Sequence, residues 1–286
     1  VLDDKVGGLN PGDLVLVVGY TTEGKTHMGV QLAWNASVVQ GLNVVFLTTE
    51  TIRSTVRRRF ICRHSTLEHF DIPGGLNSRD VKNATLTDVQ KRQFAAVVDD
   101  FARNPGYGRR WISQVPRSAT IGYIESKLVR LQRMFPIDLV ILDALYLLRP
   151  EKRRNTDREE LSGILKESKQ LATTFNDGLG IPLVSPWQVS RSARQEAERT
   201  GSYTSQALSE TAEASNSADV IVSLLAPIDN DQRRVNLKCQ VMKNRDGERA
   251  GATEVAVDYA TSRFSVASQQ TGSMDGLFAG FEATRL

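Results

Sequence analysis

Gly19-Tyr20-Thr21-Thr22-Glu23-Gly24-Lys25-Thr26 fits the pattern G-x-x-x-x-G-K-[ST]. An apolar run, Leu14 to Val18, precedes it, and a segment with helical apolar spacing at Met28, Leu32 and Ala36 follows. Strand, glycine-flanked loop and helix are the context in which such a loop binds phosphate. Its backbone N–H groups converge on an anion, and the helix N-terminus adds positive potential. The expected phosphate-binding residues are Gly19, Thr21, Thr22, Glu23, Gly24, Lys25 and Thr26. Lys25 would reach the β- and γ-phosphates, and the Thr26 hydroxyl would hold Mg²⁺.

Three further polar residues close apolar runs. Asp143 follows Leu139-Val140-Ile141-Leu142 and suits a ligand that holds Mg²⁺ through water. Glu50 follows Val44 to Thr49 and suits a base that orients an attacking water; a solvated strand-end glutamate is the other reading. Gln188 follows Leu183 to Trp187 and can donate to or accept from a γ-phosphate; ordinary loop hydrogen bonding is its alternative. Lys243 and Arg245 stand near the tip of a predicted hairpin. A guanidinium there could complete a neighbouring subunit's site, and a solvated turn is the competing reading. Cys62, His64 and His69 lie close together, but their spacing matches no common zinc pattern.

The elements that must place these groups alternate. Predicted strands cover 43–49, 111–115, 137–143, 180–185 and 218–225, with Gln188 just past the end of the fourth. Predicted helices cover 25–39, 53–62, 87–102, 120–135 and a long one opened by Thr156 and Glu159, which form a capping box, as do Thr87 and Gln90. Residues 71–80 read as loop, and 190–205 as a polar, basic, mobile loop. Residues 235–242 and 253–257 read as a hairpin. This is the pattern of an α/β fold: a mostly parallel sheet, helices on both faces and a C-terminal β-hairpin. Ligands of such sheets bind at the carboxyl ends of the strands, where the phosphate loop, Glu50, Asp143 and Gln188 all fall. Residues 1–267 make one domain, and the glycine- and serine-rich stretch 268–286 reads as a flexible tail.

The chain has 286 residues, 40% hydrophobic and 24% charged, with a formal net charge of +3. That composition suits a globular core and permits an anionic partner without requiring one. The basic character is local, at Arg57-Arg58-Arg59, Arg109-Arg110 and Lys152-Arg153-Arg154. Two cysteines argue against a disulfide framework and for a reducing interior. No apolar run approaches the ~20 residues of a membrane span.

Taken in order, these motifs resemble the RecA-like motor domain of replicative helicases of the DnaB family, a P-loop NTPase fold. Gly7-Gly8-Leu9-Asn10-Pro11-Gly12-Asp13-Leu14 is similar to the family's G-G-L-x-P-G-D-L, and Thr48-Thr49-Glu50 to its S-L-E, whose glutamate is the catalytic base. Arg59-Phe60-Ile61-Cys62 is similar to R-M-L-C, which implies that Arg59 lies near the nucleotide. Leu142 to Leu147 resembles the Walker B strand I-D-Y-L-Q-L, and Trp187 to Arg191 resembles S-Q-L-x-R. Lys243-Asn244-Arg245-Asp246-Gly247 resembles K-x-R-N-G, which implies a trans-acting Arg245 with Lys243 as companion. Leu208 to Ala212 falls where the family touches single-stranded DNA. Ser209 stands in place of its arginine and Ala212 in place of its glycine. The phosphate loop also departs from the usual A-R-P-S-M-G-K-T.

The resemblance implies ATP and Mg²⁺ as cofactors and a homohexameric ring in the cytoplasm, or in the host cytoplasm for a phage-encoded chain. Single-stranded DNA would be gripped by Arg191, Arg194, Ser209, Glu210, Lys152 and Arg153. A primase or helicase loader is an expected partner, and an upstream domain is expected before Gly7. A RecA-like ATPase of another kind (a recombinase, an annealing or loading factor, a KaiC-like switch) would share every phosphate-handling residue. A non-catalytic nucleotide-binding adaptor is a third reading, against which the pairing of Glu50 with Arg245 argues.

Overall fold

The computed structural model describes residues 8–204, 207, 212–227, 233–247 and 250–266. The tail, Ser209 and Glu210 lie outside the described residues.

Among the described residues nine strands form one sheet: β1 (Leu14–Gly19), β2 (Val44–Thr48), β3 (Arg110–Gln114), β4 (Leu139–Asp143), β5 (Leu183–Gln188), β6 (Val220–Leu225), β7 (Arg234–Asn244), β8 (Ala250–Asp258) and β9 (Arg263–Val266). Their order is β3-β2-β4-β5-β1-β6-β7-β8-β9. The first six run parallel, and β7, β8 and β9 continue antiparallel. The helices are α1 (Lys25–Trp34), α2 (Arg53–His64), α3 (Ser78–Asn83), α4 (Asp88–Arg103), α5 (Ile121–Gln132), α6 (Asp157–Thr174), α7 (Arg191–Thr200) and α8 (Ala212–Ser217). A π-helical turn, Asn35–Val39, extends α1 to the predicted end at Val39.

Alternate residues of the central strands feed two cores, because successive side chains leave a strand on opposite faces. Leu14, Leu16 and Val18 of β1 join Leu47, Val140 and Leu142 beneath Ile124 and Leu128 of α5 and Ile164, Leu165 and Leu171 of α6. Val15 and Val17 join Phe46 and Ile141 beneath Met28 and Trp34 of α1 and Phe60 of α2. Both faces being covered, the strands read as continuous apolar runs. Each fully buried large side chain contributes about 2–3 kcal/mol.

Three expectations are corrected. The predicted loop 190–205 holds a helix over Arg191–Thr200: Ser190 caps α7 by accepting from Ala193 N, and Gly201, at φ +81°, ends it, so that only the residues after it keep the expected irregular path, Ser205 lying outside the described residues. Only alanines mark the apolar face of α7, and buried Arg194 serves as a packed side chain, so hydrophobic periodicity missed the helix. The predicted loop 71–80 gives way at Ser78 to α3, opened by Asn77, whose side chain accepts from Arg79 N. β5 begins at Leu183 and stays paired with β1 through Pro186 to Gln188, three residues past the predicted end. The capping box of Thr87 and Gln90 is present in full. At Thr156 only one half forms: Thr156 accepts from Glu159 N, while Glu159 accepts from Asn155 N.

Candidate nucleotide-binding site

At the carboxyl ends of β1, β2, β4 and β5 lies a cavity of about 680 Å³, lined by the phosphate loop, Glu50, Asp143 and Gln188 together with Arg59, Tyr146 and Tyr259. Four of the sequence-predicted groups thus reach one space from four strands that sit side by side.

The loop's path requires two unusual backbone positions. Thr22 has φ +68° and Gly24 has φ +81°. A Cβ at Gly24 would stand 3.3 Å from the Tyr259 ring, and the Tyr259 hydroxyl donates to the Thr22 carbonyl at 3.3 Å. At Gly19 a Cβ would stand 2.9 Å from the Leu224 carbonyl oxygen. The glycine is needed because β6 passes there. Lys25 is buried, and its Nζ donates to the carbonyls of Gly19 (2.8 Å) and Tyr20 (2.5 Å). Burial lowers its ammonium to about 8, against the opposing pull of Glu23, Glu50 and Asp143. A buried cation beside a phosphate-sized space suits anion capture.

Thr26 Oγ1 donates to Asp143 Oδ1 at 3.2 Å. Burial raises the Asp143 carboxyl to about 6, partly offset by the Thr26 hydrogen bond. Its other oxygen, Oδ2, is buried with no hydrogen-bond partner among the described residues. A hydroxyl, a carboxylate and an orphaned carboxylate oxygen fit a hydrated Mg²⁺. No group of three His, Cys, Asp or Glu side chains able to hold a metal occurs among the described residues. Such an ion would therefore take most of its ligands from phosphate and water.

Glu50 is exposed in the cavity and held from behind. Thr51 N donates to Thr48 Oγ1 at 2.9 Å, and that hydroxyl donates to the Thr51 carbonyl at 2.8 Å, closing a tight turn around Glu50. Thr49 N donates to the Asp143 carbonyl at 2.7 Å, and Ala144 N donates to Thr49 Oγ1 at 3.0 Å. The turn is thereby fixed to the strand that carries Asp143. The Tyr146 hydroxyl donates to Gln188 Oε1 at 3.3 Å. Arg59 reaches the cavity from α2; burial lowers its guanidinium, and its Nη1 is buried without a partner among the described residues.

Not every expected residue is in this cavity. The Glu23 side chain turns away from it and is buried against Arg194. Its carboxylate is taken up by Tyr20 N within the loop and by Tyr203, Arg194 and Ala226 N on the far side. Arg194 is likewise corrected: it is buried and ion-paired, so it does not present a cation to a DNA strand. Arg191, one turn earlier, is exposed, as are Lys152 and Arg153.

Lys243 and Arg245 lie on the opposite rim. Asn244 pairs with Val220 and Lys243 with Ile221, at the amino end of β6, whereas the phosphate loop stands at the carboxyl ends. Six residues of strand, roughly 20 Å, separate the two rims. Arg245 Nη1 contacts Asp219 Oδ1 at 2.7 Å, and Lys243 Nζ donates to the carbonyls of Ser215 (2.7 Å) and Ala218 (2.5 Å).

Cys62, His64 and His69 form no metal site. Cys62 is buried, with its thiol pushed up to about 12 chiefly by burial, and both His64 ring nitrogens are engaged, by Trp34 and Asp100. Tyr146 and Tyr259 line the cavity but escaped the sequence reading. Tyr146, three residues past Asp143, could have been found by proximity, whereas Tyr259 comes from the distant turn between β8 and β9.

Residues 1–266 match the family model described as "DnaB-like helicase C terminal domain". The chain is 25% identical over 225 residues to the replicative DNA helicase DnaB of Leifsonia xyli subsp. xyli (78% of this chain, 44% of that protein). It is 21% identical over 250 residues to the replicative DNA helicase DnaC of Bacillus subtilis (86% of this chain, 51% of that protein). The chain thus spans about half the length of the curated relatives it matches. Among solved structures, a DnaB-like replicative helicase, studied with its interactions with primase, superposes with a TM-score of 0.75 at 20% identity, covering 92% of this chain and 59% of that one. A separately solved ATPase domain also gives 0.75 at 20% identity, covering 92% and 87%. With the family model covering nearly the whole chain and the RecA-like fold shared, this protein belongs to the DnaB-like helicase C-terminal domain family.

Proposed function

We propose that the chain is the ATP-hydrolysing motor of a replicative DNA helicase, working as a homohexameric ring on single-stranded DNA. The observation that carries this reading is the separation of the two rims. Lys25, Thr26, Glu50, Asp143, Arg59 and Gln188 share one edge of the sheet, while Arg245 and Lys243 stand at the other. Arg245 is too far from its own subunit's cavity to serve it, which supports a role in the cavity of a second copy.

In this reading Lys25 and the loop N–H groups bind the triphosphate. Mg²⁺, when bound, withdraws charge from the phosphates; Thr26 would ligate it, and Asp143 would hold one of its waters. Glu50 orients the attacking water and takes its proton. Arg245 of the neighbouring copy, with Lys243 beside it, stabilises charge developing on the transferred group. Gln188 contacts the γ-phosphate and passes its state into α7. Exposed Arg191, Lys152 and Arg153 supply cations to the phosphates of the strand, and Ser209 and Glu210, in the sequence between α7 and α8, are expected to add hydrogen-bonding contacts to it. The motor acts in the cytoplasm and takes a primase or a helicase loader as partner. No helix among the described residues is long and apolar enough to cross a membrane.

The test is unwinding of a forked duplex. Wild-type protein separates the strands only with ATP, and Lys25→Ala does not. Strand separation that survives Lys25→Ala would refute the motor assignment. Rapid ATP turnover without translocation would favour the other RecA-like ATPases.

A further inference from the structure

Glu23 is a buried carboxylate inside a phosphate-binding loop, where added negative charge opposes anion capture. Its geometry shows what it does instead. Oε2 accepts from Tyr20 N at 2.5 Å and from the Tyr203 hydroxyl at 2.8 Å. Oε1 accepts from Ala226 N at 3.1 Å and from Arg194 Nη1. Arg194 in turn donates Nη2 to the Ala226 carbonyl at 2.7 Å and pairs through Nε with Glu198 at 2.9 Å. The carboxylate therefore has four donors, from the loop itself, α7, the turn after α7 and the end of β6. A half-open groove of about 360 Å³, lined by Tyr20, Thr21, Arg191, Arg194 and Gln195, runs along this junction.

We infer that Glu23 and Arg194 form a strut joining the phosphate loop to α7, so that filling the loop repositions or stiffens that helix and the exposed Arg191 at its start. The inference rests on the loop's being a nucleotide site. It adds a route distinct from Gln188, because it leaves from the loop's interior and enters α7 at its second turn. Rigid coupling follows from the bonding. A charged pair with its remaining donors and acceptors satisfied cannot let one side shift while the other stays without leaving a buried charge exposed to apolar surroundings. Glu23 and Arg194 touch no reacting group; they act as positioning residues.

Hydrogen–deuterium exchange tests the strut on the intact protein, with and without adenylyl-imidodiphosphate and magnesium. In wild type the nucleotide should slow exchange in the loop, residues 19–26, and at least threefold in α7, residues 191–200. In Glu23→Gln and Arg194→Met, loop protection should persist while the α7 response falls to under half. Tyr203→Phe, which deletes one hydrogen bond and no charge, should lose part of the response and guards against a variant that fails to fold. An α7 response that is absent in wild type, or undiminished in the folded variants, overturns the inference while leaving the nucleotide site standing. Silence of both segments in wild type overturns the nucleotide reading and the strut with it.

Discussion

Thr26 Oγ1 and Asp143 Oδ1 meet at 3.2 Å, 117 residues apart in sequence, while Asp143 Oδ2 stays buried without a partner among the described residues. The pair joins the start of α1 to the end of β4 at the place a phosphate-bound cation would occupy. Substitution of Asp143 by asparagine should keep the packing and the Thr26 contact but lower magnesium-dependent ATP turnover at least tenfold. A magnesium titration of turnover checks this; an unchanged half-saturating concentration and rate would remove Asp143 from the site.

Lys25→Met should abolish the gain in melting temperature that ATP gives the wild type, since the cation proposed to bind the β- and γ-phosphates is gone. The nucleotide-free protein should lose little or no stability. Burial lowers the Lys25 ammonium from 10.5 to about 8, so at pH 7 the native state carries a desolvation cost that a methionine does not. The sign is definite: that cost is absent above pH 10.5, where both states are neutral, and reaches its full size as pH falls through about 8. Calorimetry with and without nucleotide separates the two effects.

Arg245→Ala should cost the isolated subunit no more than about 1 kcal/mol. The Arg245–Asp219 pair is half-exposed on the arginine side, and Lys169 at 2.6 Å and Leu14 N at 2.8 Å still hold Asp219. Assembled protein should nevertheless lose at least a hundredfold in turnover. Mixing Arg245→Ala with Lys25→Ala should restore part of the activity. Interfaces that join the intact phosphate loop of one variant to the intact arginine of the other are whole. No recovery on mixing, with assembly verified, would mean that the site is not shared.

Arg191 and Arg194 sit one turn apart and should behave oppositely. Arg191→Ala should leave stability within about 0.5 kcal/mol, weaken single-strand binding and reduce the slope of log affinity against log salt by about 0.7. Arg194→Met leaves Glu23 buried and unpaired, and should cost about 3–5 kcal/mol. Urea titrations and salt-dependent anisotropy decide both.

His64 is fully buried, accepts from Trp34 Nε1 at Nδ1 and donates from Nε2 to Asp100 at 2.7 Å. Burial depresses it from 6.5 to about 4, so the contact is that of a neutral imidazole, not an ion pair, at neutral pH. Its contribution to stability is present above pH 6.5 and is lost as pH falls towards 4, amounting to roughly 3 kcal/mol. The urea midpoint of wild type should fall across that window more steeply than that of His64→Leu. Parallel slopes would show that the ring is already protonated or not desolvated.

The place of the candidate site was legible in the residues themselves. A phosphate loop announces itself because its glycines, lysine and threonine are needed at fixed spacing within one stretch. Glu50, Asp143 and Gln188 announce themselves because parallel strands buried on both faces read as apolar runs, and a polar residue ending such a run must stand at the rim. What the chain alone could not disclose was direction and partnership across distance. Glu23 and Arg194 looked like a phosphate ligand and a DNA contact, yet 171 residues apart they neutralise each other. Helix α7 hid because its buried face is built from alanines and one paired arginine, not from large apolar residues. Only the antiparallel return of β7 sets Arg245 on the rim away from the cavity, since pairing register, not composition, decides which end of a sheet a hairpin tip occupies.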